Sequence, residues 1–311
     1  MNNQIKRINT NHSFIFFLFC NIFSLITFNG NYFFFSPLIC LFLILSIGVS
    51  HGSLDNFKGK KLFQVLGIKN FYMFYFSYIA ISLTIIVLWI LIPTISLVIF
   101  LIIASYHFGK EDTQFLINEN SYFNQFLFFL KGCLVILAPL YFHFDETIFL
   151  FKLLLIENEI FYEFLNLVEK NKIVLFGIIL STLSSILLFI KNFEFKKMTI
   201  FLDYFSILIV NYYFSPLAAF TIYFCFLHSI RHSISLISEL DQNNLKNGLK
   251  LFIKKALPLT ILTATFCLIG LYILNNSYNF DNSVVKVIFI GLASLTFPHI
   301  LLEYLIEKNE K

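Results

Sequence analysis

Charged residues are scarce in this sequence: Asp, Glu, Lys and Arg make up 13% of its 311 residues. A soluble globular domain usually carries about 25% charged residues. Two long stretches, from Ile8 to Leu54 and from Asn70 to Gly109, contain no charged residue at all. Because about 20 apolar residues cross a bilayer as a helix, both stretches are long enough to hold membrane spans. This composition excludes a cytosolic enzyme, a disordered protein and a protein that binds nucleic acid through a basic patch.

Cysteine pairs with the spacing of a zinc knuckle are also missing. The five cysteines all fall inside apolar stretches: Cys20, Cys40, Cys133, Cys225 and Cys267. We therefore expect neither a disulfide framework nor a zinc ribbon, and we interpret the thiols as small apolar groups at helix interfaces. Lys6 and Arg7 precede an apolar run, as in a signal peptide, but no small-x-small cleavage motif follows. We expect this run to be retained as the first helix.

The apolar segments predict an all-α fold, a polytopic transmembrane helical bundle of about 8–10 spans, in a single domain over residues 1–311. Helices tend to stop at Asn-Gly and Pro motifs, and such breaks occur at 29–31, 93 and 215–216. The candidate helices are 13–28, 32–50, 71–92, 94–108, 122–142, 173–190, 199–214, 216–236, 256–274 and 284–303. Residues 144–172 mix acidic and apolar side chains, a composition typical of an amphipathic helix at a membrane surface.

The basic residues predict an orientation, because Lys and Arg concentrate in cytoplasmic loops. With the N-terminus in the cytoplasm, the cytoplasmic loops receive most of them: Lys6, Arg7, Lys58, Lys60, Lys61, Lys69, Lys191, Lys196, Lys197, Lys246, Lys250, Lys254 and Lys255. The opposite side receives only Lys152, Lys170 and Lys172, beside the acidic residues of 144–172. We therefore expect a multi-pass protein of the cell (inner) membrane with both termini cytoplasmic.

Histidine carries most of the information about function. Of the seven histidines, His12 and His143 stand apart at span ends, and we interpret them as interfacial. The other five lie near the predicted cytoplasmic ends of four spans: His51, His107, His228, His232 and His299. Ionisable groups inside a membrane are costly and normally face the bundle interior, where they pair or bind something. Converging imidazoles suit a transition metal such as iron, zinc or copper.

Two of these histidines, His228 and His232, are four residues apart. On a helix their rings lie on one face, one turn apart, so they can share a metal. Arg231 lies between them, and two interpretations of it are open. It holds a carboxylate such as Asp55 or tunes the metal through its charge, or it reaches for the headgroups of the cytoplasmic leaflet.

Acidic residues follow the remaining histidines at short range: Asp55, Glu111, Asp112 and Glu303. Metal-bound histidines usually donate their second N–H to a carboxylate or carbonyl group. We expect Asp55, four residues after His51, to accept that N–H if the chain stays helical past Gly52. Glu303 is interpreted instead as the first polar residue beyond a helix end.

Four short blocks contain these residues. They are Gly48-Val49-Ser50-His51-Gly52-Ser53-Leu54-Asp55, Tyr106-His107-Phe108-Gly109-Lys110-Glu111-Asp112, His228-Ser229-Ile230-Arg231-His232 and Pro298-His299. In order and approximate spacing they resemble the G-x-x-H-G-x-x-D, H-F-G-x-x-D, H-x-x-R-H and P-H blocks of the Brp/Blh family, the bacterial and archaeal β-carotene 15,15'-dioxygenases. The combination is specific, although any single block is not. Ser53 departs from the family's usual alanine, and the segment 144–172 is a possible insertion.

The resemblance implies a polytopic membrane enzyme that uses Fe²⁺ and O2 to split the central double bond of β-carotene into two all-trans-retinal molecules. The iron ligands that it implies are His51, His107, His228 and His232. The residues expected around these ligands are Asp55, Glu111, Asp112, Arg231 and His299, with His299 open between a supporting residue and a further ligand. The expected partners are β-carotene, O2, membrane lipid and a microbial rhodopsin that would receive the retinal, and no nucleic acid is expected.

Two other classes of protein also place histidines on membrane helices. A di-iron desaturase or hydroxylase uses HxxxH motifs, but it needs more histidines and an HxxHH box, and this chain has no adjacent His-His pair. A haem-binding protein or a transporter would use two histidines on facing helices to clasp a haem or line a proton path. A Soret band in the purified protein would favour haem.

Overall fold

The computed structural model describes residues 3–27, 35–117, 121–191 and 193–309, with the side chains of Asn3, Thr27 and His51 outside the description. Within these ranges the chain is helical. Its first half contains α1 (Asn3–Thr27), α2 (Pro37–Leu43), α3 (Asp55–Val65), α4 (Tyr72–Leu91), α5 (Pro93–Glu111), α6 (Tyr122–Gly132), α7 (Leu134–Phe142) and α8 (Phe144–Leu153). Its second half contains α9 (Glu159–Lys170), α10 (Ile173–Ile190), α11 (Thr199–Tyr213), α12 (Pro216–Ile222), α13 (Ile230–Leu240), α14 (Leu245–Leu274) and α15 (Phe280–Asn309).

Two of the connections between these helices are themselves helical. Between α2 and α3 the chain forms a π-helical segment, Ile44–Gly48, and then a 3₁₀ segment, Val49–Leu54. Between α12 and α13 it forms a second π-helical segment, Tyr223–Ser229. A further 3₁₀ turn, Phe195–Met198, precedes α11.

Seven helices of the described chain are long and apolar enough to cross a membrane. They are α1, α4, α5, the joined α6–α7, α10, α14 and α15. An eighth crossing exists if the pair 37–48 and 52–65, bent by 42°, counts as one span. The predicted polytopic helical bundle is thus confirmed, with seven or eight candidate crossings where about 8–10 are expected.

Two of the predicted spans are helices in the structure but are not among the seven that are long and apolar enough to cross a membrane. The helix predicted at 199–214 is α11, which has 15 residues, fewer than the ~20 that a crossing usually needs. The helix predicted at 216–236 runs from α12 through the π-helical segment to α13, and it carries His228, Arg231 and His232. Most residues of both stretches are buried inside the bundle. They form its polar interior, while the longer helices surround them.

The outer helices present apolar side chains to their surroundings. In their most apolar stretches only 11% of residues in α4 and 6% in α14 are buried, against 56% in α15. An apolar outer surface costs nothing in lipid, because lipid tails are as apolar as the side chains. The five cysteines are free thiols, and Cys20, Cys40 and Cys225 are buried among the inner helices.

The segment predicted to be amphipathic, 144–172, folds into the two short helices α8 and α9. Phe161 and Leu165 of α9 pack on the core, whereas Phe164 on its other face is exposed. Lys286, near the start of α15, donates a hydrogen bond to the carbonyl of Leu153 at the end of α8. This segment therefore lies at the end of the bundle where α15 begins.

A very close helix crossing joins α5 to α6 through two glycines. A Cβ atom added to Gly109 would overlap the carbonyl oxygen of Phe128, and one added to Gly132 would overlap that of Ser105. The two backbones are therefore in direct contact, which only glycine permits. Gly109 lies two residues after His107, so this crossing fixes the last turn of α5 relative to its neighbours.

We predict that Gly109→Ala lowers stability and disturbs the site, because a methyl group at this backbone contact forces α5 and α6 apart. Overpacking of this kind costs about 1–3 kcal/mol. Gly291→Ala in α15 is the matched control, since a Cβ there meets no described atom within 4 Å. Thermal unfolding in detergent should show a lower Tm for Gly109→Ala only. Equal Tm values for the two variants would contradict the proposed backbone contact.

Candidate metal centre

Four histidine rings from three separate stretches of the chain meet inside the bundle. His107 lies near the end of α5, His228 and His232 lie around the start of α13, and His299 lies in α15. The ring centroid of His107 is 5.2 Å from that of His228 and 5.5 Å from that of His299. The His232 and His299 centroids are 5.6 Å apart. All four side chains are buried, with at most 6% of each residue exposed, so bulk water is excluded from the cluster.

His51, the first predicted ligand, lies in the 3₁₀ segment Val49–Leu54, and its side chain is outside the described residues. The backbone of this segment leads directly into the cluster, because Asp55 immediately follows it and contacts His299. Gly52 faces the same histidine: a Cβ added there would lie 4.0 Å from Nδ1 of His299.

Two π-helical segments pack side by side at the cluster. One, Ile44–Gly48, precedes His51, and the other, Tyr223–Ser229, contains His228. Ser229 Oγ donates to the Gly48 carbonyl at 3.3 Å, and a Cβ on Gly48 would come within 2.6 Å of the Phe224 ring. Single π-helical turns inside α-helices are rare and occur frequently at functional sites.

Each of three histidines donates its Nδ1–H to a different carboxylate. His228 Nδ1 lies 3.2 Å from Asp112 Oδ1, and His232 Nδ1 lies 3.0 Å from Glu111 Oε2. His299 Nδ1 lies 2.9 Å from both carboxylate oxygens of Asp55. Because a carboxylate only accepts, the proton must be on Nδ1, and Nε2 then presents the lone pair that binds a metal. This is the arrangement by which proteins fix the tautomer and orientation of metal-binding histidines.

The carboxylates are in turn held by other buried groups. The Tyr223 hydroxyl donates to Asp112 at 2.6 Å, and the Tyr78 hydroxyl donates to Asp55 at 2.8 Å. The sequence predicts that Asp55 supports His51, four residues earlier. In the structure Asp55 binds His299 instead, on a helix that is 244 residues away in sequence, while the expected contact with His51 lies outside the described side chains.

Arg231 is buried, with 2% exposed, and does not reach the membrane surface. Its guanidinium forms a bidentate pair with Asp203, at 2.8 and 3.1 Å, and lies 3.8 Å from Asp112 Oδ1. Of the two open interpretations, the structure therefore supports the one in which Arg231 holds a carboxylate. Its carboxylate partners are Asp203 and Asp112 rather than Asp55. The sequence does contain a signal for Asp203, because it is the only acidic or basic residue between Met198 and Arg231, histidine aside. A charge within an apolar stretch marks a buried partner.

Glu303 is the residue that sequence reasoning misjudged. The final helix is predicted to end at 303, but α15 continues to Asn309, so this carboxylate points into the bundle rather than lying past a helix end. It is 3.7 Å from Nε2 of both His232 and His299, and 3.9 Å from Nδ1 of His107. Its side chain is 14% exposed, and it also pairs with Lys58 at 3.0 Å.

The donor set fits one transition-metal ion. His107, His299 and Glu303 offer ligand atoms within 4.8 Å of one another, and so do Glu111, His232 and Glu303. Imidazole nitrogens with carboxylates suit iron, and open positions in such a set are typical of non-haem iron(II) oxygenases. His12 and His143 take no part, since they bond the carbonyl groups of Phe226 and Asn211.

Fold and site together define a class: a polytopic, all-helical membrane protein with a buried histidine and carboxylate cluster. Residues 42–307 match the family model for beta-carotene 15,15'-dioxygenase. A curated beta-carotene 15,15'-dioxygenase from uncultured marine bacterium 66A03 is 27% identical over 277 residues, which cover 84% of this chain and 90% of that protein. No solved structure matches the chain. The chain belongs to the beta-carotene 15,15'-dioxygenase family, which confirms the resemblance seen in its sequence blocks, and it is an oxygenase of that family.

We predict that Asp55→Asn weakens the centre without abolishing it. The amide keeps the shape of the carboxylate but loses the charge that orients the His299 ring, and such losses typically cost about 10–100-fold in metal affinity or activity. Tyr78→Phe removes only the hydroxyl that supports Asp55, and we expect a smaller loss. Metal titration of the purified variants measures both effects. Complete loss of metal from Asp55→Asn would make Asp55 a direct ligand, and wild-type affinity would mean that Asp55 takes no part in metal binding.

Proposed function

We propose that this protein cleaves the central double bond of β-carotene with O2 and releases two all-trans-retinal molecules. We further propose that the reaction depends on Fe²⁺ bound by His51, His107, His228 and His232. The observation that supports the metal site best is the set of three Nδ1–carboxylate bonds of His228, His232 and His299, because each bond fixes the tautomer in which Nε2 carries the lone pair that binds a metal. The family match supports the substrate.

The protein's own residues prepare the site for this reaction. Iron held by these residues would supply the capacity to activate O2. Asp112, Glu111 and Asp55 keep the imidazole Nδ1 atoms protonated, so that the rings cannot turn away or change tautomer. Burial of the cluster excludes bulk water from the place where O2 and substrate would meet.

A row of aromatic side chains packs beside the cluster. The His228 ring has its centroid 4.8 Å from that of Phe108 and 5.8 Å from that of Phe224. Phe220 stacks on Phe224 at 5.5 Å and contacts Phe289 of α15 at 5.4 Å. β-Carotene has no polar group for the protein to bind, so its position must be set by apolar contacts and by length. We propose that this aromatic row holds the polyene beside the metal and that substrate and product pass sideways through lipid.

We propose that the protein lies in the cell inner membrane with both termini cytoplasmic and with the metal site near the cytoplasmic face. Termini on one side require an even number of crossings, so this proposal counts the bent pair 37–48 and 52–65 as the eighth crossing. Lys286 and His299 are 13 residues apart on α15, about 20 Å along a helix. The segment 144–172, which Lys286 contacts, is therefore at the opposite end of the bundle from the cluster. Retinal released into the same membrane would be available to a microbial rhodopsin.

We predict that expression in a β-carotene-producing bacterium bleaches the orange colour and yields retinal in lipid extracts. His228→Ala should abolish both effects, because it removes a proposed ligand. His143→Ala is the control for losing a buried histidine outside the cluster, since that ring bonds the Asn211 carbonyl, and it should still produce retinal. Unchanged colour with folded, iron-loaded wild-type protein would contradict the proposed reaction.

The orientation predicts the labelling of single cysteines placed at exposed positions. A membrane-impermeant maleimide added to intact cells should label Glu157→Cys, in the segment between α8 and α9. It should label Lys60→Cys and Asn243→Cys only after the cells are opened. All three native residues are exposed, and the unsubstituted protein gives the background. Labelling of Asn243→Cys in intact cells would reverse the proposed topology.

A further inference from the structure

The carboxylates around the cluster fall into two groups by their distances to histidine nitrogens. Asp55, Glu111 and Asp112 lie 2.9–3.2 Å from an Nδ1 atom, which is hydrogen-bond distance. Glu303 lies 3.7–3.9 Å from three histidine nitrogens. These separations are too long for hydrogen bonds.

The longer distances are those of atoms that share a metal ion. Metal–nitrogen and metal–oxygen bonds of about 2.0–2.2 Å place two ligands of one ion roughly 3–4 Å apart, depending on the angle between them. Glu303 Oε1 has this relation to Nε2 of His232 and Nε2 of His299. These Nε2 atoms are the ones that the Nδ1–carboxylate bonds direct toward a metal.

We propose that Glu303 is a direct, carboxylate ligand of the metal, so that the centre is a mixed histidine–carboxylate site. This inference rests on the proposed iron centre and goes beyond its four-histidine ligand set. Glu303 follows His299 by four residues on α15, which places both side chains on one face of the helix. The same helical turn therefore places the Glu303 carboxylate beside His299, at the histidine cluster.

The positive charge of Lys58 is consistent with Glu303 as an ionised metal ligand. It lies on α3, and its ammonium group contacts Glu303 Oε1 at 3.0 Å. A buried carboxylate is costly without a partner, and the lysine supplies a positive charge on one side while the metal supplies it on the other. With the metal bound, the carboxylate has a positive partner even when the lysine is removed.

The test is Fe²⁺ binding to purified full-length protein in detergent, after removal of metal and under anaerobic conditions. For Glu303→Gln we expect affinity to fall more than about 10-fold, with Glu303→Asp retaining more of it because the charge is kept. Co²⁺ loading provides a second measurement: replacing a carboxylate ligand by an amide should shift the visible ligand-field bands. Glu307→Gln is the matched control, because Glu307 lies one turn further along α15 and pairs with Lys110 in the same way.

The alternative role for Glu303 is to neutralise Lys58 without touching the metal. Lys58→Gln separates the two, because a metal ligand should keep binding Fe²⁺ and keep its Co²⁺ spectrum when only the lysine is removed. Equal losses in Lys58→Gln and Glu303→Gln, or wild-type affinity and spectrum in Glu303→Gln, would overturn the inference while leaving the proposed function intact. Wild-type protein that binds no Fe²⁺ would overturn the metal centre itself, and with it both proposals.

Discussion

An imidazole buried in an apolar bundle must have its N–H bonded, and the rest of this site follows from that requirement. An unpaired polar group in a low-dielectric interior costs several kcal/mol, so each histidine needs an acceptor close by. For His228, His232 and His299 the acceptors are carboxylates, which are themselves costly to bury and need donors of their own. Tyr223 and Tyr78 supply hydroxyl groups, and Arg231 supplies charge. The cluster is therefore surrounded by a layer of polar groups that hold one another in fixed positions.

This polar layer explains why the inner helices are unlike the outer ones. The stretch from α12 to α13 and the helix α11 carry polar groups that lipid would not tolerate, and both are enclosed by longer, apolar helices. Asp203 on α11 and Arg231 on α13 form a bidentate pair in this interior. Such a pair contributes little net stability when buried, but breaking it leaves an uncompensated charge. It acts mainly to fix how α11 and α13 sit against each other, and so where His228 and His232 point.

Much of the fold and part of the site could be predicted from the sequence. Charge-free stretches indicated the helices, and the common level of the histidines at span ends indicated that His107, His228, His232 and His299 lie together. Which carboxylate bonds which histidine could not be predicted in the same way. Local spacing pairs Asp55 with His51, a contact that involves a side chain outside the described residues. The partner that the structure does show, His299, lies on another helix, and no local spacing predicts it. Contacts between distant segments depend on packing, which a single sequence does not reveal.

The prediction that Glu303 lies beyond the end of a helix is wrong for a related reason. An acidic residue near the end of an apolar run looks the same whether the helix stops before it or continues past it. Whether α15 continues was decided by its packing on α3 and α4, through Leu302, Leu62 and Phe74. The sequence contains the two glycines of the α5–α6 crossing, but it does not show which two helices are in contact there. It therefore does not show why glycine is needed at these positions. Gly109 belongs to one of the sequence blocks, and the structure explains it by a backbone contact rather than by chemistry.

The two neighbouring π-helical segments have a consequence for how this sequence can change. A π-helical turn contains one residue more than an α-helical turn, so it is equivalent to a single-residue insertion within a helix. Only the second segment, Tyr223–Ser229, lies between two α-helices. Deleting one residue from it would restore regular α-helical winding and rotate α13 by about 100° relative to α12. The number of residues in this π-helical segment therefore determines which way His228 and His232 face, so the site depends on that number as well as on the histidines themselves.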